Sequence, residues 1–182
     1  MRIIAGSHRG RRIEAPPDDA IRPTSDRIRE SLFSIFGHRL GGFAGKTVLD
    51  GFAGTGALGF EALSRGAASA LFMDNSKAAL DLCRRNAAAL GLDGRAAFRL
   101  GDIARPPTAQ EKFDLVLLDP PYGKGLGSAA LIALDDAGWL ADNAIIVIEA
   151  DKSQPEATPQ GFSVIDSRDY GRTRIELLIR KP

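Results

Sequence analysis

The sequence predicts an α/β domain, a mostly parallel sheet with helices on both faces and an antiparallel hairpin at its C-terminal end. Three observations predict it. From residue 46 onward, strand-like and helix-like runs alternate, the order that right-handed crossovers turn into a parallel sheet. The first of these strands, "KTVLD", runs into a glycine-rich loop that opens a helix. The last two runs, in "FSVIDSRDYGRTRIELLIRK", alternate apolar and polar residues around Tyr170-Gly171-Arg172, the pattern of a hairpin.

Each element can be justified in turn. "RIIAGSHRGRRIEAP" holds two short strand-like pieces separated by Gly and Arg, which predicts a hairpin or a basic arm. Pro23, Thr24, Ser25 and Asp26 then give stop and cap signals. Ile28, Leu32, Phe33, Ile35 and Phe36 follow as one apolar helical face, with Gly37 as its expected end. "KTVLDGFAGTGALGFEALSRG" reads as strand, loop and helix, and "ASALFMD" as a second strand. "NSKAALDLCRRNAAALG" is a capped helix with Gly91 just past it. "RAAFRLGD" and "FDLVLLD" are the third and fourth strands. "GSAALIALDDAGWL" is a helix before the fifth strand, "AIIVIEA". With the closing hairpin the sheet has seven strands. The 182 residues suit a single domain, with residues 1–40 as a basic hairpin and helix extension and residues 41–182 as the core.

Composition excludes several classes. Hydrophobic residues at 44% and charged residues at 26% are ordinary for a globular protein, and no apolar run is long enough to cross a bilayer. The N-terminus puts its arginines after a short apolar segment, unlike a signal peptide, so a cytoplasmic location is expected. A single cysteine, Cys83, rules out an internal disulfide or a cysteine metal cluster, and its helical surroundings predict core packing. His8 and His38 lack ligand spacing, so no metal is expected. Aromatic residues are 7% of the chain and no exposed apolar stripe is evident, so a monomer is expected. The net charge of +1 is uneven. Residues 1–40 carry eight Lys/Arg against five Asp/Glu, residues 41–164 eleven against fifteen, and residues 165–182 five against three. Basic ends around an acidic middle fit an acidic ligand pocket flanked by segments that meet phosphates, or simply a solvated surface.

The chemistry concentrates at strand ends. Gly54-x-Gly56-x-x-Gly59 follows the first strand directly. The first glycine is expected to permit the turn, the second to let a ligand approach the backbone, and the third to let helix and strand pack. Asp74 ends the second strand about twenty residues on, where a carboxylate can accept ribose hydroxyls. NAD and S-adenosylmethionine are the two ligands this pattern suits. Asp50 at the first strand tip can meet an ammonium group, whereas a pyrophosphate needs no carboxylate there. Asp102, ending the third strand, can accept from an adenine amino group. Phe52, Ala53 and Ile103 complete the cofactor-side set. Asp119 ends the fourth strand in Asp-Pro-Pro-Tyr. Acids at four successive strand ends suit a cationic sulfonium ligand better than a diphosphate.

These residues in this order resemble a class I S-adenosylmethionine-dependent methyltransferase, which implies a Rossmann-like fold. "RIIAGSHRGRRI", "RPTSDRIRESLF", "FAGTGALGFEALSRGA" and "YGRTRIELL" narrow the resemblance to the RsmD family over nearly the whole chain. That resemblance implies methylation of guanine N2 in bacterial 16S ribosomal RNA, of the guanine-966 type. The RNA would be naked, or held in a small ribosomal subunit or an assembly intermediate. It also implies that Arg22, Thr24 and Arg27 lie near the cofactor and the entering base. Gly51 departs from the pattern, which has a bulkier residue there, so a looser strand tip is expected.

Asp-Pro-Pro-Tyr has a chemical reading of its own. An exocyclic amine on a nucleobase is a poor nucleophile because its lone pair is delocalised into the ring. Acceptors at the Asp119 carboxylate and the Pro120 carbonyl can draw its two hydrogens and localise that pair. Pro121 disfavours a helical conformation at Pro120, which keeps this carbonyl outward, and Pro121 counts with the substrate-binding residues. Tyr122 offers a face for an extruded base. The motif alone fits adenine N6, guanine N2 or a glutamine side-chain amide. Arg9, Arg11 and Arg12 in the N-terminal hairpin can grip phosphates, which position a nucleic acid without reading its sequence. Two further readings are an adenine-N6 methyltransferase on RNA or DNA and a nicotinamide-dependent oxidoreductase. The second lacks a visible catalytic His, Tyr or Lys constellation. An RNA-binding module without catalysis is the last, and the intact acceptor residues weigh against it.

Overall fold

The computed structural model describes residues 1–15, 26–121, 123 and 125–181. Expectations for Arg22, Pro23, Thr24, Ser25 and Tyr122 lie outside the described residues. Seven strands form one sheet: β1 (Thr47–Gly51), β2 (Ser69–Asp74), β3 (Ala96–Leu100), β4 (Phe113–Leu118), β5 (Leu140–Asp151), β6 (Phe162–Tyr170) and β7 (Thr173–Arg180). Their order is β3-β2-β1-β4-β5-β7-β6. The first five are parallel, while β7 runs antiparallel to both β5 and β6. The strand order reverses between β1 and β4. This reversal is a topological switch point, beyond whose C-terminal strand ends ligands bind in open α/β sheets.

Alternation along the strands divides the core between two faces. Val48, Leu117 and Val147 point to one face, packed by α1 (Asp26–Leu40), α2 (Ala57–Ser64) and α3 (Lys77–Leu90). Leu49, Leu118 and Ile148 point to the other, covered by α4 (Leu126–Asp136) and Trp139. Ser76 caps α3 by accepting from Ala79 N, and Gly91 ends it in the left-handed conformation. Among the described residues no helix is long and apolar enough to cross a membrane.

Two details differ from the sequence expectation. Gly37 does not end α1, which runs on to Leu40. A Cβ at Gly37 would stand 3.1 Å from the Phe43 ring, so this glycine makes room for packing. The stop comes from Gly41, at φ +70°, and from Gly42, whose N–H returns to the Gly37 carbonyl at 2.8 Å. The N-terminal segment, expected as a hairpin or a basic arm, is a hairpin bridged at Arg2 and Arg12, and what goes beyond expectation is its docking onto the core. Ile3 and Ile13 are buried in the core. The Ile4 and Ala5 N–H groups donate to Glu61 at 2.7 and 3.0 Å, and Glu61 is fully buried on α2. Ser64 takes the His8 N–H and donates to the Ala5 carbonyl. Gly6 lies so close to α2 that an added Cβ would overlap the Ser64 carbonyl oxygen.

Candidate active site

Gly51 pairs with Leu118 across β1 and β4, so the glycine loop and Asp119-Pro120 leave the sheet side by side. Adjacent strands lie about 4.8 Å apart, which brings the two chemistry-bearing turns within reach of one ligand. The strand tip at Gly51 is tight, against expectation. A Cβ there would come within 2.8 Å of Leu118 and 3.2 Å of Ile103, which fill the space a larger residue would take.

Phe52 follows at φ +61°, a left-handed conformation that a bulky side chain adopts only under constraint. Its neighbours supply the constraint. Ala53 N donates to the Met73 carbonyl at 3.1 Å and Gly54 N to Asp74 Oδ2 at 2.9 Å. Gly54 makes the turn, as expected, at φ +54°. A Cβ at Gly54 would meet only the Phe52 carbonyl oxygen, at 3.8 Å, which leaves room beside this backbone. Gly56 instead fits under Phe60 and Cys83, and Gly59 against Phe72 and Asp50, both at distances that exclude a Cβ.

Asp74 organises three loops. Its carboxylate accepts Gly54 N and Ser76 N, and its carbonyl accepts Gly101 N at 3.0 Å. Each carboxylate oxygen takes one N–H and keeps a lone pair that can accept a hydroxyl. Asp102 is exposed and accepts Ala104 N, while Ile103 behind it is buried. Asp50 is 2% exposed and accepts Gly59 N at 2.8 Å. Burial pushes its carboxyl up to about 7; the Gly59 bond opposes that rise and the Asp74 charge adds to it.

At the end of β4, Asp119 keeps an exposed surface, Pro120 is buried and Pro121 is exposed. Burial raises the Asp119 carboxyl well above the usual carboxylate range, helped by the like charges of Glu149 and then Asp50. Neighbouring protein desolvates this carboxyl although part of the residue reaches solvent. Leu118 pairs with Ile148, which sets Glu149 beside Asp119 one residue past the last shared ladder pair.

The arginines separate into two groups. Arg2 pairs with Asp26, and Arg11 donates to the Ala89 carbonyl at the end of α3. Arg9, Arg12 and Arg27 are exposed, and among the described residues no acid pairs with them. Arg12 lines a recess of about 710 Å³ with Met1, Arg2, Gly10, Ile13 and Asp26. Met1 in its wall also meets the glycine loop, through Thr55 Oγ1 and its own Sδ at 4.0 Å.

The family described as Conserved hypothetical protein 95 matches residues 1–179. Ribosomal RNA small subunit methyltransferase D of Escherichia coli is 36% identical over 182 residues, covering 100% of this chain and 90% of that protein. The Haemophilus influenzae protein of the same name is 35% identical over 178 residues, covering 94% and 89%. The chain belongs to the RsmD family. In structure it superposes on the yhhF protein of Escherichia coli with a TM-score of 0.84 at 34% identity, covering 100% of this chain and 98% of that one. The fold is that of the Rossmann-like methyltransferases.

Within this RsmD frame, several residues that support the site carried no motif. Cys83 is core, as expected, yet its thiol also donates to the Gly54 carbonyl at 3.2 Å, and burial pushes that thiol upward. Glu61, Ser64 and Asn86 hold the hairpin and the loop. Their one available signal is helical spacing. Each is a polar residue in a position that periodicity assigns to a buried face, where it needs a partner.

Proposed function

We propose that this chain transfers a methyl group from S-adenosylmethionine to the exocyclic N2 amine of a guanine in small-subunit ribosomal RNA, of the guanine-966 type. The observation that carries the reading is the pairing of Gly51 with Leu118, which sets an open glycine loop beside Asp119-Pro120 at the switch point. The family relatives named for ribosomal RNA small subunit methylation support small-subunit ribosomal RNA as the substrate.

The residues fit the cofactor. Open space over Gly54 admits its backbone-facing edge, Asp74 retains acceptor capacity for ribose hydroxyls, and Asp102 stands at the next strand end for the adenine amine. Buried Asp50 is the nearby anion for an ammonium group. Phe52, Ala53 and Ile103 shape the walls. When bound, S-adenosylmethionine supplies an electrophilic methyl on a sulfonium.

On the acceptor side, Asp119 and the Pro120 carbonyl draw the two amine hydrogens and free the nitrogen lone pair. Tyr122 stacks on the base and Pro121 holds its approach. Holding two reactants in line supplies much of the acceleration. The raised Asp119 carboxyl also suits it to receive the proton that the methylated amine gives up. Arg9, Arg12 and Arg27, with Arg22 and Thr24, meet the RNA, and Arg11 contributes from its place against α3. The protein acts as a cytoplasmic monomer on RNA, free or in a small subunit or assembly intermediate.

The test is incorporation of labelled methyl into ribosomal RNA from cells lacking the enzyme, followed by nucleoside analysis. Labelled N2-methylguanosine is the expected product. Labelled N6-methyladenosine would overturn the acceptor assignment and keep the fold. Cofactor binding without label on any RNA would overturn the RNA reading.

A further inference from the structure

Asn86 joins two parts of the molecule that the proposed function uses separately. It lies on the buried side of α3 and is 2% exposed. Its Oδ1 accepts the Glu14 N–H at 2.8 Å. Its Nδ2 donates to the Glu14 carbonyl at 3.1 Å and to the Thr55 carbonyl at 3.0 Å. Both amide hydrogens have acceptors and the oxygen has a donor, so the side chain has one satisfied orientation. Thr55 stands between Gly54 and Gly56, in the cofactor loop. Glu14 ends the arm that carries Arg9 and Arg12, and eight residues later the chain reaches Arg22.

One turn earlier on the same helix face, the Cys83 thiol donates to the Gly54 carbonyl. Two successive loop carbonyls are thus fixed by α3, and the second is fixed by an amide that also grips the arm. A shift of the loop at Thr55 must stretch the Asn86 bond to it, or move Asn86 and with it the backbone of Glu14. Close packing around the amide leaves little slack for a third response.

We propose that Asn86 is a positioning residue that couples the cofactor loop to the RNA-binding arm, so that filling the cofactor site tightens RNA binding. By linkage, RNA tightens cofactor binding by the same factor. The inference rests on the reading of the chain as an RNA methyltransferase. It adds a route by which the two substrates sense each other.

The experiment measures the affinity of the full chain for a small-subunit ribosomal RNA transcript, with and without saturating S-adenosylhomocysteine. In the wild type the transcript is expected to bind about fivefold tighter or more when the cofactor site is full. In Asn86→Ala that ratio should fall to within about twofold of one, whatever the absolute affinities become. Arg85→Ala removes only the exposed ion pair to the Glu14 side chain and should keep the wild-type ratio. If Asn86→Ala fails to fold, Asn86→Ser, which restores one hydrogen-bonding group, is read for the same loss. A protein that merely loses rigidity would bind both ligands more weakly and keep the ratio, and that result overturns the proposal. So does a wild type that methylates the transcript yet binds it equally with and without S-adenosylhomocysteine, a result that leaves the function standing. A wild type that neither binds nor methylates the RNA, as transcript or as assembled small subunit, overturns the function itself.

Discussion

Asp119 and Asp50 are both carboxyls raised by their surroundings, and they make opposite demands on pH. Asp119 must be ionised to accept an amine hydrogen, and its raised carboxyl is ionised only at higher pH than an ordinary aspartate. The single-turnover rate should therefore climb with pH from a point well above the usual carboxylate range, and a rate already flat through mildly acidic pH would refute this. Asp50 governs stability. Its folded value of about 7 exceeds the ordinary 3.8, so its contribution is whole below pH 3.8 and is lost as pH rises through 7. Asp50→Asn should remove that loss and stabilise the ligand-free protein at pH 8 by a few kcal/mol, since each tenfold change in proton affinity is worth about 1.4 kcal/mol. Denaturant midpoints at pH 5 and 8 for both proteins measure it. Gly51→Ala belongs to the same scale. With Leu118 and Ile103 occupying the Cβ position, overpacking should cost about 1–3 kcal/mol, read in a thermal melt.

The elements divide between those that sequence patterning reveals and those that it misplaces. Alternation, glycine punctuation and capping residues mark the strands and α3, because burial on a sheet face and helix ends leave local signals. The end of α1 is misplaced because Gly37 serves Phe43, a contact that only the folded chain creates. The hairpin is recognisable as a hairpin, but its docking is not. Nothing in "RIIAGSHRGRRI" says that its backbone donors will find a glutamate 56 and 57 residues away on α2. That buried glutamate also pairs with Arg65 at 2.7 Å. Glu61→Ala strands two backbone donors and a guanidinium, and should cost about 3 kcal/mol. It should also increase hydrogen exchange at Ile4 and Ala5 above that of the sheet; unchanged protection there would contradict the anchoring role.

At the scale of the molecule, strand order turns scattered acids into a site. Asp50, Asp74, Asp102 and Asp119 were legible because each lies at or within two residues of a strand's C-terminal end, and a parallel sheet gathers such ends along one edge. The packing role of Gly56 was not legible, since it depends on where Phe60 and Cys83 sit. Nor was the bond from Arg11 to Ala89, which needs the hairpin laid against α3. The central claim is that the turn beside the glycine loop handles the acceptor amine. Asp119→Ala tests it most directly, in a single-turnover methyl-transfer assay on ribosomal RNA with cofactor and RNA affinities measured alongside. The account predicts a loss of about a hundredfold or more in the transfer rate with both affinities kept. A folded Asp119→Ala protein that transfers methyl at the wild-type rate would contradict it.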